Sequence, residues 1–149
     1  MPTRRQIQFQ SYDDILADVD KLLRGGYERA GQWSLGMAGE HLAITIKMAF
    51  DPAAKGMPRL IRPVIRWVIL PRILKKGMPK GMKGPQAIMP SATVTDEAGR
   101  DVLRQAIEVA KANTHAKLDH PIFGTIESPV FDRLQRVHAQ HHLSFLIPK

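Results

Sequence analysis

The sequence contains no cysteine. That excludes a disulfide framework, a thiolate zinc site, an iron–sulfur cluster and a cysteine nucleophile, so any metal must be held by nitrogen and oxygen. It also lacks an apolar run near the roughly 18 residues that a membrane-spanning helix requires. The basic start MPTRRQIQF has no apolar stretch behind it of the kind a secretory leader needs. A protein of the cytoplasm is therefore expected. Strand-like alternation of useful length and internal repeats are absent too. What is present is 149 residues, 44% apolar and 24% charged. That is one domain over residues 1–149, long enough to bury a core without staples.

Acidic residues are scarce in one place only. Residues 51–92 hold nine bases (Lys55, Arg59, Arg62, Arg66, Arg72, Lys75, Lys76, Lys80 and Lys83) against the single acid Asp51, and so carry the whole net charge of +8. The remainder balances thirteen bases with thirteen acids. The same stretch contains seven of the eleven prolines and four of the eleven glycines, which forbids one long helix across it. The chain reads as a neutral domain with a Pro/Gly/basic insertion. Within the insertion Leu60 to Lys76 is a short, proline-interrupted apolar and basic element, and Gly77 to Pro90 an irregular loop.

The periodicity outside the insertion is helical. Ser11 caps a first helix whose apolar face is Ile15, Leu16, Val19, Leu22 and Leu23, and Gly25-Gly26 ends it. Ser34 caps a second, with an inner stripe of Leu35, Ala38, Leu42, Thr45 and Ala49 that stops at Asp51-Pro52. A third opens at Thr95 and runs towards Lys117. A fourth starts with Ser128 as cap and Pro129 at its first position, and continues to about Phe145. An all-α four-helix bundle is expected, the short first link making helices 1 and 2 antiparallel. The long 51–94 link leaves helices 2 and 3 free to run parallel.

Histidines concentrate where that core should lie. His138 and His142 are four apart, hence about 40° apart on a helix, on the face marked by Phe131, Leu134 and Phe145. His141 sits at the edge of this face, and His41 on or beside the stripe of helix 2. Two imidazoles at i, i+4 can share a metal ion, and His41 from a facing helix would complete three nitrogens. The bland alternative is core histidines each satisfied by one hydrogen bond, or packing residues that respond to pH. Burying several without partners costs on the order of 1–3 kcal/mol each, which weighs against idle clustering. His115 and His120 read as solvent or turn residues.

Three segments together, WSLGMAGEHLA (Trp33 to Ala43), HPIFG (His120 to Gly124) and SPVFDRLQRVHAQHHLSFL (Ser128 to Leu146), resemble the DinB-like superfamily, and within it a subfamily of uncharacterised bacterial proteins. The resemblance implies a bundle of up-down-down-up order and a divalent metal on three histidines. His41 matches the helix-2 ligand and His138 and His142 the helix-4 pair; His141 matches the other member of the double histidine, not a ligand. Characterised members include bacillithiol transferases and mycothiol-dependent isomerases, so the resemblance also implies a low-molecular-weight thiol as a co-substrate. Dimers occur among relatives, although nothing in this chain demands one.

Three neutral imidazoles suit zinc, nickel or iron(II) and leave coordination positions open, so that water or a thiol could be activated by a metal-dependent transferase or hydrolase. Glu40 and Asp132 point away from the histidines and read as solvated carboxylates. The insertion could be a merely solvated loop, or it could close over the site, with Arg62, Arg66 and Trp67, together with His141, meeting a small, anionic substrate. The alternative is a non-catalytic binding module that attaches to an anionic membrane or partner through residues 58–76. Nucleic acid is not expected, because the basic stretch holds one aromatic, Trp67, and no reading motif.

Overall fold

The computed structural model describes residues 2–82 and 84–149. Lys83, one of the nine bases of the insertion, lies outside them, as does Met1. In chain order the elements are α1 (Tyr12–Gly25), β1 (Tyr27–Arg29), α2 (Leu35–Lys47), α3 (Arg62–Lys76), α4 (Asp96–Lys111), β2 (Lys117–His120), β3 (Gly124–Glu127), α5 (Ser128–Leu143) and β4 (Leu146–Pro148). None of these helices is long and apolar enough to cross a membrane.

Local chemistry sets the helix starts. The hydroxyls of Ser11, Ser34 and Thr95 accept the N–H groups of Asp14, Met37 and Ala98, each at the N-terminus where free donors need a partner. Ser128 departs from expectation. It is the first residue of α5, which has no side-chain cap. Its hydroxyl instead donates to the His115 carbonyl and accepts from Asn113 Nδ2, tying the preceding loop to the helix.

The core is built from Ile15, Val19 and Leu22 of α1, Leu35, Leu42 and Ile46 of α2, Leu103, Ala106 and Ile107 of α4, and Phe131, Leu134 and Leu143 of α5. Helices α2 and α4 approach backbone to backbone. A Cβ on Gly36 would stand 2.4 Å from the Thr95 carbonyl oxygen and one on Gly39 2.5 Å from that of Gly99, so only glycine permits this spacing. The contacts advance in the same direction on both helices, which therefore run parallel. Asp20 and Asp13 of α1 pair with Arg100 and Lys111 of α4 in reverse order, so α1 runs against them.

Among the described residues five α-helices replace the four expected, and the chain is mostly rather than wholly helical. The added helix is α3, inside the insertion. Pro63 lies in its first turn, where the missing N–H costs nothing, and Pro71 falls on its exposed side. The third expected helix stops at Lys111, six residues short of Lys117, because the chain turns into a hairpin. There β2 and β3 pair antiparallel with Leu118 opposite Ile126 and His120 opposite Gly124. Gly124 has φ 70, the left-handed residue that closes a three-residue hairpin loop. A second antiparallel pair, β1 with β4, clips the 26–34 link to the C-terminal segment.

Candidate metal centre

His41 lies in the middle of α2, and its ring reaches α5 because Ala38, Leu42 and Thr45 hold that face of α2 against the core. His138 and His142 project one turn apart from α5. The Nε2 atoms of His41 and His138 are 3.1 Å apart, and those of His138 and His142 also 3.1 Å. One nitrogen of each ring lies within 4.8 Å of the other two, and no Asp or Glu joins the group among the described residues.

Hydrogen bonds on the far sides of the rings decide what this convergence means. His41 Nδ1 is 2.7 Å from the Ile88 carbonyl, an acceptor only, so Nδ1 carries the proton and donates it. Burial pushes the His41 pKa down, so the ring is neutral and its Nε2 bare. The Thr45 hydroxyl donates to the Leu42 carbonyl at 3.0 Å and offers its lone pair to His138 Nδ1 at 3.4 Å. His138, pushed well below its usual range by burial and then by His41, is therefore protonated on Nδ1 and bare on Nε2. Two lone pairs face each other with no proton between them. His142, also driven far down by burial and by His138, adds a third imidazole at the same point.

A cation resolves this arrangement. Zinc–nitrogen bonds of about 2.0–2.1 Å at tetrahedral angles put ligand nitrogens about 3.3 Å apart, a few tenths of an ångström from the 3.1 Å of the two pairs that His138 makes. The three residues could thus hold a divalent metal ion, with Ile88 and Thr45 fixing two of the rings from behind as outer partners commonly do. Trp33, the residue before the α2 cap, stacks on His142 with ring centroids 4.8 Å apart and 13° between planes, and lies 5.0 Å from the His41 ring. It walls a cleft of about 300 Å³ that reaches His142 between Gly81, Met82 and Phe145.

The remaining expected site residues fall in two groups. His141 packs edge-on against His142, but its Nδ1 accepts from Arg4 at 3.2 Å and it faces a neighbouring cleft of about 730 Å³. Burial, with Arg4 next, lowers its pKa to about 4. Arg62, Arg66 and Trp67 lie elsewhere. Arg62 Nε donates to the Met57 carbonyl and Arg66 to that of Thr125, both at 2.7 Å, while Trp67 is 74% exposed. The insertion does reach the histidines, but through Gly81, Met82 and Ile88 rather than through α3. Glu40 and Asp132 are engaged by Ser91 N–H and the Tyr12 hydroxyl.

Two contributors escaped the sequence reading. Thr45 was legible in principle, a polar residue one turn from His41 on an apolar stripe. Ile88 acts through its carbonyl, which no side-chain pattern announces.

Across residues 1–149 the chain matches the family described as a protein of unknown function, DUF1569. No curated protein and no solved structure matches.

Proposed function

The chain belongs to the DUF1569 family, and on that premise we propose that it is a metal-dependent transferase of the DinB-like type, working on a small anionic thiol with a divalent ion held by His41, His138 and His142. The observation that carries the reading is the pair of bare Nε2 atoms 3.1 Å apart on two different helices. The helix directions support the DinB-like part. The α2–α4 pair runs one way and α1 the other, while Thr45 against His138 and His41 against His142 set α5 antiparallel to α2, which is the up-down-down-up order that the resemblance implies.

When bound, a divalent ion such as zinc, nickel or iron(II) would supply Lewis acidity, lowering the pKa of a water or thiol that reaches it. A thiol is favoured over water by the protein's own residues. Hydrolysis calls for a base to take the second proton, and among the described residues no Asp or Glu joins the three histidines. A thiol begins near pKa 8.5 and needs only a small shift to ionise at neutral pH. Arg4 and Lys80 line the 730 Å³ cleft beside His141 with no acid among its lining residues, so a thiol carrying carboxylates finds complementary charge one ring away from the ligands.

Metal analysis of protein prepared without a histidine tag tests the site, with about one ion per chain expected. Metal-dependent consumption of a carboxylate-bearing thiol with an electrophilic acceptor, absent in His138→Ala, tests the reaction. Wild-type protein that stays metal-free in excess zinc and nickel rejects both.

A further inference from the structure

Helix α3 is turned the unusual way round. Its arginines 62 and 66 point at carbonyls of their own protein, at Met57 and Thr125, while Leu60, Val64 and Trp67 are 92%, 60% and 74% exposed. At about 100° per residue Val64 lies midway between Leu60 and Val68, with Trp67 within about 60°, so these side chains form one outward stripe along α3 and the turn that leads into it. Ile73, opposite Val64 on the helix, is buried, as is Leu70, about 120° from Val64. A contiguous apolar surface of this kind marks an interaction site rather than scattered exposure.

The surroundings of the stripe say what covers it. Arg59 precedes it, and Arg72, Lys75 and Lys76 follow, all exposed. No acid occurs between Asp51 and Asp96. A second copy laid on this face would set like charge against like. At fifteen residues α3 is too short to span a bilayer, but it has the form of a helix lying in the headgroup region: an apolar and tryptophan face inward, with long basic side chains reaching sideways to phosphates. We propose that α3 is an interfacial docking helix that seats this protein on a bilayer surface carrying anionic phospholipid. This is independent of the metal site, to which Leu60, Val64 and Trp67 do not contribute.

The test is sedimentation of the whole protein with vesicles of phosphatidylcholine alone and of phosphatidylcholine mixed with phosphatidylglycerol. Binding is expected to the mixed vesicles only, and to fall as salt rises. The double variant Val64→Ser, Trp67→Ser, which changes exposed side chains, should weaken it at least about tenfold. The triple variant Arg72→Gln, Lys75→Gln, Lys76→Gln should weaken it roughly fivefold per charge removed. Both should keep wild-type circular dichroism and metal content. Three results would overturn the proposal: no binding to the mixed vesicles, binding that survives the apolar double variant, or a solution dimer that the double variant dissolves without any lipid binding.

Discussion

His41 and His138 present their Nε2 atoms to each other at 3.1 Å with a proton on neither. Ile88 and Thr45 accept the only N–H each ring has, so the contact is repulsive until a cation lies between the rings. Metal should therefore stabilise the fold measurably. At a zinc concentration a hundred times the dissociation constant, linkage gives about 2.7 kcal/mol, or roughly 5–10 °C in Tm for a domain of this size. Thermal unfolding with and without zinc checks this, and the shift should vanish in His138→Ala.

Among the described residues Thr45 is the side chain outside the cluster that hydrogen-bonds a ligand ring, since the partner of His41 is a backbone carbonyl. Replacing it as Thr45→Val removes the acceptor for His138 Nδ1–H while roughly keeping the volume. Metal affinity should drop about 10–100-fold, the usual cost of losing an outer partner. Competition titration against a chromophoric chelator measures it. An unchanged affinity would mean that His138 is held by packing alone.

The histidine cluster was more legible than the frame around it. His138 and His142 announce themselves through the i, i+4 step beside Phe131 and Leu134, a geometry that belongs to the helix and needs no tertiary information. The caps at Ser11, Ser34 and Thr95 are local in the same sense. Ser128 looked identical, yet its hydroxyl serves Asn113 and His115, and only the folded loop decides between those partners and the helix. The β2–β3 hairpin hid because four-residue strands are too short to show a period, although Gly124 after HPIF was its turn signal. Proline suggested that residues 60–76 would break; one proline in a first turn and another on an exposed side do not forbid a helix whose buried side is Leu70 and Ile73. Which of its sides faced the protein depended on the carbonyls of Met57 and Thr125, invisible in the sequence.

Gly39 to Ala in an ordinary helix would stabilise by roughly 0.5–1 kcal/mol. Here the sign reverses, because the new Cβ would stand 2.5 Å from the Gly99 carbonyl oxygen, a backbone atom that cannot rotate away. Gly39→Ala should force α2 and α4 apart at a cost of roughly 1–3 kcal/mol, read as a lower denaturation midpoint. Since His41 is two residues further along α2, metal affinity should fall with it. A stability equal to wild type would show that the two helices separate freely.

His120 carries the clearest pH dependence outside the cluster. The ring is 3% exposed, and its Nδ1 accepts the N–H of Ile122 at 3.1 Å, closing the hairpin loop. Burial, then the nearby Arg62 charge, lowers its pKa to about 4. In the unfolded chain the same group titrates near 6.5, so on acidification the unfolded state takes up the proton first. Stability from this group is complete above about pH 6.5, declines as pH falls through the interval, and is lost by about pH 4, a total of roughly 3 kcal/mol. The variant His120→Asn keeps an acceptor for Ile122 N–H but cannot titrate. Its penalty relative to wild type should therefore shrink as the solution is acidified from about pH 7 to about pH 4.5. Chemical denaturation at the two pH values decides the matter: a penalty that stays constant would mean that the buried ring accepts its proton as readily as the unfolded one.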